Sequence, residues 1–346
     1  MNSKIGPSPA GSGPLISVLV CTYGRAAALD GLLKCLEAQT YPNFEVLVLD
    51  GNGENSLACR AIDEFLKQSA GSLKPTVIKS QKGLTKQRNV GLGAAKGSVI
   101  CFLDDDVTFE PNFLEKVAAV FEESQSQDVG GITPYDPLNY PMRITWRWRL
   151  RRALGVIPSL DPGKVDHLGR AVPISFLKPW NGRKEIGWLA GFCMIYRRSA
   201  IGALLFDEML PTYGGEDRDF SMRVGKHWRL LICGDLAVRH HYTTQGRETD
   251  VECVRQGSFG VGRRFGQNAR SFRDYLTVAS TFAGDFVLDI LSLVRRPTLQ
   301  TARILRVRST AFFEGFESAR TQERPSRSSA ASERIKHQTE TVSGTP

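Results

Sequence analysis

Apolar positions along the chain follow two different periods, and the switches between them predict its elements. Ile16-Ser17-Val18-Leu19-Val20-Cys21 is a nearly unbroken run of β-formers and predicts a strand buried on both faces. After Thr22-Tyr23-Gly24-Arg25 the period lengthens: Leu29, Leu32, Leu33 and Leu36 share one face of a helix from about Ala26 to Gln39. Tyr41-Pro42-Asn43 marks a turn, and Phe44 to Asp50 reads as a second strand, giving a βαβ unit whose crossover should be right-handed. Gly51-Asn52-Gly53 is a tight turn, followed by an amphipathic helix at Leu57 to Gln68 and a short strand at Thr76 to Lys79. Thr85 is placed to cap the next helix, which carries Arg88 and Asn89, turns Leu84, Val90 and Leu92 inward and ends at Gly97.

The pattern then reaches its most informative stretch. Val99 to Leu103 are apolar without a break and stop at Asp104, Asp105 and Asp106. Ligands of open α/β sheets sit beyond the carboxyl ends of the strands, where these acids fall. Alternate side chains of an extended segment share a face, so Asp104 and Asp106 converge while Asp105 points away. Two convergent carboxylates form a hard-oxygen site suited to Mg²⁺ or Mn²⁺ together with phosphates. A solvated acidic turn is the alternative, disfavoured because adjacent like charges repel unless a cation neutralises them.

Further on, Leu231 to Gly234 and Leu236 to Val238 read as two short strands leading to His240-His241. Neighbouring histidines on an extended segment face opposite ways, so one of them could reach the acids, and a structural role is the plain alternative. Glu216-Asp217 follows Tyr213-Gly214-Gly215, where a turn opens a helix; acids there either complement the helix dipole or supply a base. Asp219 would point to another side of that helix.

Composition narrows the class. The chain has 346 residues, 41% hydrophobic and 23% charged, which suits one large or two ordinary globular domains with a real core. The net charge of +9 favours anionic partners. Seven scattered cysteines, none in a Cys-x-x-Cys pair, read as thiols of a reducing compartment and speak against a zinc knuckle or a disulfide framework. The N-terminus lacks a signal-peptide profile, and no uninterrupted apolar stretch reaches the roughly 18–20 residues that span a bilayer; residues 275–294 are apolar but broken by Asp285 and Asp289. Residues 137–160 contain no acid but carry Arg143, Arg147, Arg149, Arg151 and Arg152 interleaved with Trp146 and Trp148; residues 291–313, also acid-free, carry Arg295, Arg296, Arg303, Arg306 and Arg308. Both segments suit either an anionic membrane surface or plain packing and solvation. Residues 1–14 read as a flexible lead and 321–346 as a disordered tail.

Taken together, Val20-Cys21-Thr22-Tyr23-Gly24-Arg25, Val48-Leu49-Asp50-Gly51, Lys86-Gln87-Arg88-Asn89-Val90-Gly91 and Phe102-Leu103-Asp104-Asp105-Asp106 resemble the family-2 glycosyltransferases of the GT-A fold. Gly191 to Arg198, Phe206-Asp207-Glu208 and Gly215-Glu216-Asp217-Arg218-Asp219-Phe220 extend the resemblance over roughly residues 16–245. It implies an α/β, Rossmann-like GT-A domain at 15–246, a mixed, mostly parallel sheet between helices, with a donor half at 15–110, an acceptor half at 111–246 and a helical basic extension at 247–320. It also implies Mn²⁺- or Mg²⁺-dependent transfer, with inversion, from a nucleoside-diphosphate sugar, a UDP-sugar first, to a saccharide or lipid-linked acceptor. By this resemblance Thr22, Tyr23, Arg25, Asp50, Arg88, Asp104 and Asp105 bind the donor, Arg88 through phosphate oxygens. Gly51 stands where the family often has a second acid. Asp104, Asp106 and His240, in preference to His241, hold the metal; Asp217, or else Glu216, is the base. For Arg25 and Arg88 an ordinary surface charge, and for Asp50 a capping role, are the alternatives. The expected location is cytoplasmic, with a possible peripheral membrane contact and no nucleic acid. The rivals are a sugar-phosphate nucleotidyltransferase, whose Gly-rich loop with Arg and Lys is missing after the first strand, and a non-catalytic basic lipid- or nucleic-acid-binding protein.

Overall fold

The computed structural model describes residues 13–52, 57–68, 73–123, 126–242 and 248–321. The lead at 1–12, Gly53 of the tight turn and nearly all of the expected tail lie outside them.

The N-terminal half follows the periodicity closely. Strand β1 (Ile16–Thr22), helix α1 (Ala26–Glu37), strand β2 (Phe44–Asp50), helix α2 (Leu57–Gln68), strand β3 (Thr76–Lys79), helix α3 (Leu84–Ala94) and strand β4 (Val99–Asp104) come in that order. β1 lies between β2 and β4, all parallel, and the apolar runs in β1 and β4 are buried because helices cover both faces. Ser17 tightens this centre: its hydroxyl donates to Glu45 and accepts from the Gly97 amide. Gly97 needs no side chain there, since a Cβ would sit 2.5 Å from the Leu15 carbonyl oxygen.

Antiparallel strands then complete the sheet. After β5 (Val107–Phe109) and α4 (Phe113–Glu122) come β6 (Val129–Tyr135), α5 (Trp146–Ala153), β7 (Arg183–Ile186), β8 (Cys193–Arg197), α6 (Arg198–Ile201), α7 (Glu216–Val224) and β9 (Arg229–His240). The sheet order is β3-β2-β1-β4-β8-β6-β9-β5, with β7 also on β9. The pairs β1–β2, β1–β4, β2–β3 and β6–β9 are parallel and β4–β8, β5–β9, β6–β8 and β7–β9 antiparallel, so among the described residues the sheet is evenly mixed rather than mostly parallel. The two strands expected at 231–238 are one twelve-residue strand, which absorbs Gly234-Asp235 in a register shift against β6.

Helices α8 (Asp250–Asn268), α9 (Phe272–Arg295) and α10 (Leu299–Thr321) follow. Ser271 starts α9 with a capping box closed by Asp274. Leu168, Phe265, Val278 and Phe312 make a small second core, and Arg263 ties it to the main body by pairing bidentately with buried Asp207. Among the described residues α9 is long and apolar enough to cross a membrane, with mean hydropathy 1.5 over 18 residues and 22% of that window buried. Asp285 and Asp289 lie within that helix and pair with Arg151 and Arg308. The same pairs dock the two basic segments on α9, with Arg147 bonded to Ser292.

Candidate active site

Strand register assembles the acidic cluster. β4 ends at Asp104, a two-residue turn carries Asp105 and Asp106, and β5 then pairs antiparallel with β9 so that Val107 lies opposite His240. That register sets His240 Nε2 3.1 Å from Asp106 and 3.9 Å from Asp104. His241, facing the other way, bonds Thr108 at 2.7 Å. Phe192 and Tyr242 stack on the His240 ring and fix it. One ligand atom each from Asp104, Asp106 and His240 lies within 4.8 Å of the others. Two carboxylates and an imidazole suit Mn²⁺ or Mg²⁺. Enclosure raises the Asp104 carboxyl above its usual range against the pull of Arg88 and His240. Burial likewise raises Asp105 to about 6, against Arg25 and the Thr22 hydroxyl.

Asp105 turns away from this cluster, as alternation requires: it accepts from Thr22 Oγ1 at 2.7 Å and from Arg25 at 3.0 Å. Arg25 also reaches Asp106. These residues, with Tyr23, Lys82 and Gln87, line a cleft of about 290 Å³. Tyr23 is 43% exposed, and the Lys82 ammonium lies 4.4 Å from its ring centre.

The structure adds protein partners to two of the expected residues and corrects a third. Arg88 lines the cleft with a buried guanidinium that bonds Glu216 at 3.0 Å and the Gly191 carbonyl at 3.0 Å and lies 3.8 Å from Asp104. A buried guanidinium takes the nearest carboxylate, and a partner 128 residues away is invisible to local pattern. Asp50 is fully buried and accepts from the amide and side chain of Asn52, whose oxygen in turn receives the Gly24 amide; it braces the turn after β2 and is not among the cleft-lining residues. Thr85 is not a cap, because α3 begins one residue earlier behind Gly83; its hydroxyl lies 3.4 Å from the Leu210 carbonyl, while Val90 faces solvent and the helix stops at Ala94.

α7 opens at Gly215, whose φ of +75° strains any other residue. Glu216 lines the cleft. Burial and the Asp217 charge push its carboxyl up to about 8, while Arg88 favours the charged form. Asp217 points elsewhere: one oxygen accepts from the Gly191 amide at 3.2 Å and the other from the Arg218 amide at 2.7 Å. Asp219 is buried against Arg223.

Sequence reasoning overlooked Gln87, whose side chain donates to the carbonyls of Thr22 and Leu49 and so locks the ends of β1 and β2 together. A neutral amide between Lys86 and Arg88 was the available signal. Lys82, Phe192 and Tyr242 gave none.

Comparison with known proteins agrees with this geometry. The model of glycosyl transferase family 2 matches residues 17–205. An uncharacterized glycosyltransferase of Haemophilus influenzae is 34% identical over 112 residues, 32% of this chain and 35% of the relative. The amylovoran biosynthesis glycosyltransferase AmsB of Erwinia amylovora is 26% identical over 70% of this chain and 75% of its own. The chain spans about a third of the length of the first curated relatives it matches. Among solved structures, the mannosyltransferase PcManGT of Pyrobaculum calidifontis, in complex with GDP-Man and Mn²⁺, gives a TM-score of 0.52 at 14% identity, covering 91% of this chain and 88% of the other. S. aureus TarS residues 1–349, in complex with UDP-GlcNAc, gives 0.52 at 18% identity, covering 88% and 90%. A mixed sheet ending in this acidic cluster, in a chain matched by the family model over more than half its length, places the protein in glycosyl transferase family 2.

Proposed function

We propose that this family-2 enzyme moves a sugar from a nucleoside-diphosphate donor, a UDP-sugar first, to a hydroxyl of a saccharide or lipid-linked acceptor, with inversion and with Mn²⁺ or Mg²⁺ bound by Asp104, Asp106 and His240. The observation that carries the reading is the convergence of those three ligand atoms within 4.8 Å beside a cleft of nucleotide size. The nucleotide and Mn²⁺ named for PcManGT and the UDP-GlcNAc named for TarS support it. When bound, the cation supplies the positive charge that stabilises the leaving nucleoside diphosphate.

The chain's own residues do the rest. The exposed Tyr23 ring offers a face to the nucleobase, and Asp105, held by Thr22 and Arg25, is oriented toward the ribose. Arg88 acts as a positioning residue, fixing Glu216 and the Gly191 loop. With Glu216 engaged by Arg88, Asp217 is the base that takes the acceptor proton, oriented by the Gly191 and Arg218 amides. Family membership counts against the nucleotidyltransferase and the non-catalytic readings. The exposed apolar positions of α9, beside Arg295, Arg296, Arg303 and Arg306, which form no ion pair among the described residues, suit peripheral attachment to a membrane.

Calorimetry with UDP and Mn²⁺ tests the site. Asp106→Ala should abolish metal-dependent binding while the melting profile stays that of a folded protein. Unchanged affinity in that variant removes the metal assignment.

A further inference from the structure

A second cavity, of about 370 Å³, lies between the start of α7 and helices α5, α8, α9 and α10. Tyr213 is a wall both of this cavity and of the donor cleft. Glu216 faces the cleft, Arg218 lines the cavity, and Asp217 lies between them in the chain. Trp148, Trp188, Phe282 and Phe312 give the cavity aromatic walls, and it holds four arginines against a single acid, Asp285.

Two of those arginines are committed elsewhere, Arg151 to Asp285 and Arg308 to Asp289. Arg218 and Arg264 form no ion pair among the described residues. Arg264 donates to the carbonyls of Gly214 and Gly215; Arg218 donates one N–H to the Gly169 carbonyl and stacks over Trp188 at 5.4 Å. Arg218 Nε and Trp188 Nε1 are both buried and have no hydrogen-bond partner. Burial and the adjacent Arg218 charge push the Arg264 guanidinium down to about 9. Folded proteins seldom enclose two neighbouring guanidiniums without a carboxylate partner, because an uncompensated charge is costly in a low-dielectric site. An anion in the cavity would reverse that cost through charge-assisted hydrogen bonds.

We propose that this cavity is a subsite for a phosphoryl group carried by the acceptor, held by the Arg218 and Arg264 guanidiniums. Two cations without a carboxylate partner match the charge of a phosphate monoester, close to two negative units, better than the single charge of a carboxylate. The assignment rests on the glycosyltransferase reading and narrows it, making the acceptor an anion presented beside the proposed base. A neighbouring cavity of about 380 Å³ shares Trp148, Arg151, Val254 and Arg308 with this one and runs along α9, which leaves room for the body of the acceptor.

The test is calorimetry on the full chain, free of nucleotide and divalent metal, titrated in separate arms with inorganic phosphate and with geranyl phosphate. Saturable binding is expected in the wild type and in Asp106→Ala alike, and the Arg218 variants locate its seat. Arg218→Gln should weaken it by about tenfold or more, and Arg218→Lys should recover part of the loss. Geranyl phosphate binding more tightly than phosphate assigns the group to a lipid-linked acceptor; equal affinity assigns it to a soluble phosphate. No saturable binding in either arm, or equal binding by wild type and Arg218→Gln, overturns the subsite. UDP–Mn²⁺ binding measured on the same samples shows that Arg218→Gln is folded. It also reports the donor site independently, so failure of the subsite is not mistaken for failure of the enzyme assignment.

Discussion

Gly315→Ala in α10 should destabilise the protein, although alanine is the better helix former. α8 and α10 cross with their main chains in contact: a Cβ on Gly315 would lie 2.0 Å from the Phe259 carbonyl oxygen, 2.8 Å from its carbon and 3.0 Å from the Arg263 nitrogen. A Cβ on Gly262 of α8 would lie the same 2.0 Å from the Phe312 carbonyl oxygen, so the contact interlocks from both sides. Carbon–oxygen contacts ordinarily settle at about 3.3 Å, so the added methyl must push the helices apart by roughly 1 Å. The obstacle is backbone and cannot swing aside as a side-chain tip could. Overpacking of this kind costs about 1–3 kcal/mol or more, whereas the gain in helix propensity returns about 1 kcal/mol. The net expectation is a loss of up to about 2 kcal/mol, or more where the helices cannot part. Gly31 in α1 is the internal control, because a Cβ there meets nothing within 4 Å. Gly31→Ala should therefore stabilise by about 1 kcal/mol. Urea unfolding followed by tryptophan fluorescence compares the two under one set of conditions. A Gly315→Ala protein as stable as Gly31→Ala would show that the helices part without cost and would refute the interlocked packing.

Asp217→Asn keeps size and hydrogen bonding but removes the base, so turnover should fall by roughly 10²-fold or more with UDP–Mn²⁺ affinity retained; near wild-type transfer would move the base to Glu216. Arg263→Met leaves the Asp207 carboxylate buried without its guanidinium and should cost about 3–5 kcal/mol in urea unfolding, part of which returns when Asp207→Asn is added. A loss under about 1 kcal/mol would mean that the pair does not anchor the C-terminal helices. In liposome flotation the protein should bind anionic vesicles, bind neutral ones less and weaken in high salt, since each basic side chain near the surface contributes about 1 kcal/mol; equal recovery with both vesicles, or none, defeats the membrane proposal.

Flotation also exposes where sequence pattern stops being informative. Period alone delivered strands β1, β2, β3 and β4 with bounds within a residue, because an apolar run marks each strand, whereas the end of α3 was off by three residues. It could delimit the Asp104–Asp106 cluster for the same reason: an apolar strand that ends in acids announces its ligand-facing tip. What it could not supply was pairing at a distance. The preference for His240 came from resemblance, whereas the physical cause is the register that sets Val107 opposite it. Resemblance assigns Arg88 and Asp50 to the donor, and local pattern carries no sign of the protein partners each also holds, Glu216 for one and Asn52 for the other. The basic segments show the same limit most clearly. Read singly, their arginines all look available to an anionic surface; folded, Arg151 and Arg308 neutralise the two acids of α9. Those pairings leave α9 with exposed apolar positions such as Leu276, Val287 and Val294 rather than a charge-broken face. Membrane affinity, if flotation finds it, should therefore keep a salt-resistant part from α9 and lose only the share carried by the remaining arginines.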